Sequence, residues 1–168
     1  MILKTQISIN EYLKLLYGLI YRKPIMILIL FVDLIMIVWI TSYYLNLFPF
    51  PEPSVYQFIT LILISVVQPA VIFSTVRRNY KSSNHLNEEL EIEISRNEIK
   101  LHGESFFTEI KWIKIFKVVE YKNWFLIYEN TFSAIVIPKK VFNPDNLREF
   151  TGILKGLKNV PIDMKGTS

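Results

Sequence analysis

PIMILILFVDLIMIVWITSYYLNL, residues 24–47, and VYQFITLILISVVQPAVIFSTV, residues 55–76, decide how the rest of this 168-residue chain is read. At the helical rise of about 1.5 Å per residue each run would be roughly 33 to 36 Å long, enough to cross a hydrocarbon layer of about 30 Å. A secretory signal is the competing reading of the first run, which starts soon after Arg22 and Lys23. The run is longer than a signal's apolar region, it has no small-x-small cleavage pattern before Leu47, and a second run follows closely. The expectation is an uncleaved helical hairpin spanning about 24–47 and 55–76 within a segment 24–81.

Between the runs, Asn46 to Ser54 contains Pro49, Pro51 and Pro53 and a single charge, Glu52. Proline cannot continue a helix, so this link is a tight turn. Arg22 and Lys23 precede the first run and Arg77, Arg78 and Lys81 follow the second. An excess of basic residues marks the cytoplasmic side of a span, so both termini are expected in the cytoplasm. The same five residues form a membrane-surface basic cluster able to meet anionic lipid headgroups, each contact contributing about 1 kcal/mol. Trp39, Tyr43, Tyr44, Phe48 and Tyr56 suit an interfacial aromatic belt at the other end. Ahead of the hairpin, residues 1–23 are expected to hold an amphipathic helix, with Ile9, Leu13, Leu16, Tyr17 and Ile20 on one face between Ile7 and Tyr21.

Asp33 is the one charged residue inside either run. An ionisable group at that depth needs a partner. Counting equal helical rise from the two basic ends puts Asp33 level with Gln68, and Pro69 removes the hydrogen bond that the carbonyl of Ser65 would otherwise accept. An intrachain contact between Asp33 and Gln68 or that carbonyl, a contact with another copy or a partner, and ion or proton handling are three readings of the same carboxyl.

The net charge of +4 raises nucleic acid as a partner. Through Lys81, however, the chain has seven basic and three acidic residues, and the remainder has twelve of each. A neutral tail is not a phosphate-binding face, so no nucleic acid is expected. With no cysteine there is no disulfide framework and no thiolate nucleophile or ligand.

Beyond Asn84 the period changes. Leu90, Ile92 and Ile94 alternate with Glu89, Glu91 and Glu93, the pattern of a strand with one buried face. Further strands are expected at Ile99–His102, Phe106–Lys111, Phe116–Tyr121, Trp124–Glu129 and Phe132–Pro138, joined by short turns into an antiparallel meander. Asn143 then caps a helix with Pro144 at its first position, Asp145 in its first turn, and Leu147, Phe150, Leu154 and Leu157 as its apolar stripe. The fold class is therefore α+β: a transmembrane hairpin followed, over 82–168, by a small antiparallel sheet or partial barrel capped by a carboxy-terminal helix.

Trp112, Val118-Val119-Glu120, Trp124-Phe125-Leu126-Ile127-Tyr128 and Ile135-Val136-Ile137-Pro138-Lys139-Lys140-Val141-Phe142 together resemble the core of the YcxB-like family of small bacterial membrane proteins. The resemblance implies a short amino-terminal helix, a two-helix hairpin and a domain related to pleckstrin-homology folds, held at the bacterial inner membrane. It implies structural roles for Trp112, Tyr128, Pro138 and Phe142 and supplies no catalytic residue.

Other constellations are weaker. His85 and His102 have no paired-ligand spacing, and Glu88, Glu89, Glu91 and Glu93 read as a solvated strand face rather than a cation loop. No nucleophile elbow or Gly-rich phosphate loop is present. Lys139 and Lys140 mark a possible phosphate contact or simply a soluble basic edge. The expectation is a non-enzymatic two-pass membrane protein without cofactor or metal, presenting a cytoplasmic interaction domain to a protein or lipid partner or to a second copy. The alternative is a self-protection protein whose hairpin intercepts a membrane-active toxin.

Overall fold

Ile2–Thr5 (β1) is a strand, with Leu3 and Thr5 buried and Ile2 and Lys4 exposed. It pairs antiparallel with Leu90–Ile94 (β2), setting Leu3 opposite Ile92. Residues 1–23, expected as one amphipathic helical segment, are instead divided, because the helix begins only at Ile9. Four alternating residues are too few to show a strand period, and their partner lies far along the chain. The computed structural model describes residues 1–164 and forms two compact units, one of residues 1–8 with the described residues from 83 on, the other Ile9–Ser82.

In the Ile9–Ser82 unit, Ile9–Ile20 (α1) is followed by Pro24–Tyr44 (α2), Val55–Ile62 (α3), a π turn at Leu63–Val67 and Gln68–Ser82 (α4). Pro24 opens α2 at its first turn, where a missing N–H costs nothing. The helix stops at Tyr44, three residues before the expected end at Leu47. Asn46 takes a left-handed φ of 52°, and Leu47 N–H donates to the Ser42 carbonyl while Asn46 N–H donates to that of Tyr43. These two bonds make a Schellman cap with Asn in the position usually held by Gly. Ser54 and Gln57 form a reciprocal capping box at the start of α3, where the Ser54 N–H donates to Gln57 Oε1 at 2.7 Å.

The second helical run extends without a break to Ser82, beyond the expected end at Val76. Its π turn falls just before Pro69, whose ring and missing N–H disturb the regular ladder. Both long helices are apolar and long enough to cross a membrane, with mean hydropathy 2.6 and 2.2. Only 11% and 6% of their apolar windows are buried, unlike the core helices of a soluble protein. Helix α1 packs along α4, where Tyr12 and Tyr80 meet at 6.0 Å and Tyr17 Oη donates to the Pro69 carbonyl at 3.0 Å.

The other unit contains two four-stranded sheets rather than one continuous meander. The first has the order β1-β2-β3-β4, with Glu98–His102 as β3 and Phe107–Lys111 as β4. The second has the order β7-β6-β5-β8, with Lys117–Glu120 as β5, Trp124–Tyr128 as β6, Ala134–Pro138 as β7 and Ile162–Asp163 as β8, which runs parallel to β5. The meander breaks at a 3-10 turn over Trp112–Lys114. Trp112 is buried there, with Nε1 donating to the Ser95 carbonyl at 3.0 Å, so the chain bends around its indole.

A short helix, Asn84–Asn87 (α5), precedes β2, and Pro144–Gly156 (α6) follows β7. Asn143 caps α6 as expected, accepting from the Asn146 N–H at 2.7 Å. Phe150 and Leu154 from α6 are fully buried in one core with Ile92, Ile99, Val118 and Phe125. This mixed helix and sheet architecture, with sheets antiparallel except at the β5–β8 pair and a carboxy-terminal helix, agrees with the coarse fold class read from the sequence.

Candidate functional site

Among the described residues, two buried carboxyl groups, one in each unit, have an oxygen without a hydrogen-bond partner. The first is Asp33, on α2. Its Oδ2 accepts a 2.8 Å hydrogen bond from the Ser65 hydroxyl, whereas Oδ1 has no donor, and the residue is 7% exposed. Ser65 lies in the middle of the π turn. The expected contact with Gln68 does not form, since Gln68 Nε2 lies 3.4 Å from Met26 Sδ. The depth count assumes a uniform α-helical rise and an end near Val76, but a π turn carries an extra residue and shifts the side chains beyond it around the axis. Ser65 is legible in the sequence as a hydroxyl four residues before Pro69.

The basic residues are only partly brought together. Arg77, Arg78 and Lys81 line one shallow face of α4 with Phe73, Ser74 and Ser82. Arg22 and Lys23 stand at the turn between α1 and α2 and do not line that face. At the other end of the hairpin Trp39, Phe48 and Phe50 cluster over the proline link, with Trp39 and Phe50 rings 6.0 Å apart and Trp39 Nε1 donating to the Pro51 carbonyl at 3.4 Å.

The second buried carboxyl is Glu120, the last residue of β5. Lys139 Nζ lies 2.5 Å from its Oε1 and 5.1 Å from the Phe125 ring, leaving Oε2 without a partner. The geometry is set by the sheet: Glu120 is opposite Phe125, and Phe125 is opposite Ile137, two residues before Lys139. Lys139 is thereby committed inside the unit and is not available as the phosphate contact considered from the sequence. Phe125 also meets Phe150 at 4.9 Å and Phe142 at 5.6 Å, both edge-on.

Residues 94–154, from the end of β2 into α6, match the family model for YcxB-like protein. This stretch is similar to the YcxB-like family. No curated protein and no solved structure matches the chain. Within the YcxB-like stretch, the residues on which the resemblance rested occupy packing positions: Trp112 and Phe142 as above, Pro138 at the end of β7 opposite Trp124, and Tyr128 beneath Lys117 Nζ at 4.8 Å from its ring. The motif lysine, Lys139, joins them as the partner of Glu120. Neither Glu120 nor the ring it crosses was singled out as a site from the sequence, because their proximity depends on strand register.

The His85 ring meets that of Phe106 at 4.0 Å and the His102 ring that of Phe107 at 4.6 Å, both tilted. Among the described residues no three His, Asp or Glu side chains gather as a metal site would need. Glu93 is opposite Lys100, which is opposite Glu109, so part of the acidic face is a ladder of alternating charge. Lys100, 3.1 Å from Glu98, holds the Glu98 carboxyl below the ordinary carboxylate range. Glu88 departs from the strand face. It accepts from the Ser105 hydroxyl at 2.5 Å and the Ser105 N–H at 2.9 Å, and the hydroxyl bond foremost lowers its pKa.

Proposed function

We propose that this chain is a non-enzymatic two-pass protein of the bacterial cell membrane, with both termini cytoplasmic, whose β-rich unit is a pleckstrin-homology-like module for a protein or lipid partner. The observation that carries the reading is the exposure of the apolar residues on both long helices. Leu28, Phe31, Leu34, Ile59, Ile62 and Val66 are all exposed. Removing that surface from water stabilises a helix in lipid at about 25 cal/mol per Å². An amphipathic helix of a soluble protein would bury one such face, and these two bury almost none of theirs.

The basic residues at one end and the proline link with its aromatic cluster at the other support the stated orientation. Two sheets and a carboxy-terminal helix support the domain class, alongside the YcxB-like match. Anionic headgroups near Arg77, Arg78 and Lys81 are the expected lipid contact. Reporter fusions at each terminus and within Asn46–Ser54 test the reading. Cytoplasmic activity at both termini and external activity at the link are expected; an external carboxy terminus overturns it.

A further inference from the structure

Asp33 is the only formal charge in Pro24–Tyr44, and no basic side chain lies within either apolar run to balance it. An unpaired carboxylate in hydrocarbon is costly, and buried charges are paired or coordinate a cation. The hydrogen-bond partner that the chain supplies to Asp33 is a neutral oxygen. The Ser65 hydroxyl is at 2.8 Å, and the π turn that carries it runs into Pro69. Because Pro69 has no N–H, the carbonyl of Ile64 or Ser65 loses its helical donor, depending on whether the turn closes in the π or α manner. The orphan Oδ1 of a residue more than nine-tenths buried completes the set.

We propose that Asp33, Ser65 and the carbonyl released by Pro69 form a binding site for a small monovalent cation. This inference rests on the reading of the hairpin as membrane-spanning. Carboxylate, hydroxyl and carbonyl are hard oxygen donors, which suit a hard cation. Charge selects the valence. One carboxylate neutralises one positive charge, whereas a divalent ion would leave a net charge in the apolar layer. Interrupted helices that expose backbone carbonyls beside a carboxylate are a physically economical way to coordinate such an ion inside a membrane. Ser65 then has two roles, since its hydroxyl hydrogen orients Asp33 and its oxygen lone pair remains available to the ion.

Equilibrium binding of radioactive sodium to the full chain in detergent micelles tests the proposal, with choline holding ionic strength constant. One saturable sodium per chain is expected, displaced by unlabelled sodium and not by choline. Asp33→Asn should abolish binding, and Ser65→Ala should weaken it about tenfold, corresponding to roughly 1.4 kcal/mol. Circular dichroism of each variant verifies the helices. If Asp33→Asn fails to fold, Ser65→Ala decides the matter. Absence of saturable binding to the wild type overturns the site, as does binding unchanged in the folded variants; a carboxyl neutralised by a proton or hydrated by water gives the first of these results. Resistance of the membrane-bound chain to alkaline carbonate extraction is measured separately. Retention without sodium binding removes the cation site alone, whereas release by carbonate removes the membrane reading.

Discussion

Lys139 Nζ and Glu120 Oε1 lie 2.5 Å apart, linking the turn after β7 to the end of β5 across the ring of Phe125. Their side chains are 19% and 6% exposed, so removing one partner leaves a buried charge uncompensated. Lys139→Ala should destabilise the β-rich unit by about 3–5 kcal/mol, as breaking buried pairs does. Replacing both residues, with Glu120→Gln and Lys139→Met, should recover much of that loss. Denaturant unfolding followed by tryptophan fluorescence measures both; a loss below about 1 kcal/mol for Lys139→Ala would show that the pair is effectively solvated.

The hydrogen bond from Ser65 to Asp33 makes a smaller prediction. Hydrogen bonds between membrane helices contribute about 0.6 kcal/mol on average and rarely exceed about 1.7 kcal/mol. A double-mutant cycle with Ser65→Ala and Asp33→Ala, read by unfolding in mixed micelles without sodium, should give a coupling in that range. A coupling of zero would mean that the two side chains do not interact.

Glu88 gives a prediction in pH. Its folded pKa is lowered, chiefly by the Ser105 hydroxyl. The folded state therefore holds the proton less tightly than the unfolded chain. The resulting stabilisation is present above the ordinary carboxylate value and is lost as pH falls through the lowered folded value. Ser105→Ala should flatten the stability profile in that acidic window while changing its slope little near neutrality. A profile identical to wild type counts against the contact.

Gly152 lies within α6, and a Cβ built there meets nothing within 4 Å. Gly152→Ala should stabilise the unit by about 0.5–1 kcal/mol, since glycine in a helix interior loses more backbone freedom on folding. Thermal unfolding of the two proteins measures the difference, and a lower midpoint for the variant would reveal crowding on that face.

Local features of the sequence determined the elements. The apolar runs 24–47 and 55–76, the alternation of Leu90, Ile92 and Ile94, and the Asn143-Pro144 start of α6 all act through near neighbours, so period and capping chemistry were enough to read them. Even the early stop of α2 had a local sign in Asn46, which tolerates a left-handed φ. Tertiary structure alone decided the partners. It paired β1 with β2 across the intervening helical unit, gave Asp33 the hydroxyl of Ser65 instead of the amide of Gln68, and laid Lys139 over Phe125 to reach Glu120. Each of these depends on register, on a one-residue shift in a helix, or on the packing of residues distant in the chain. Periodicity specifies which face a side chain occupies; the meeting of two faces is fixed only when the whole chain has folded.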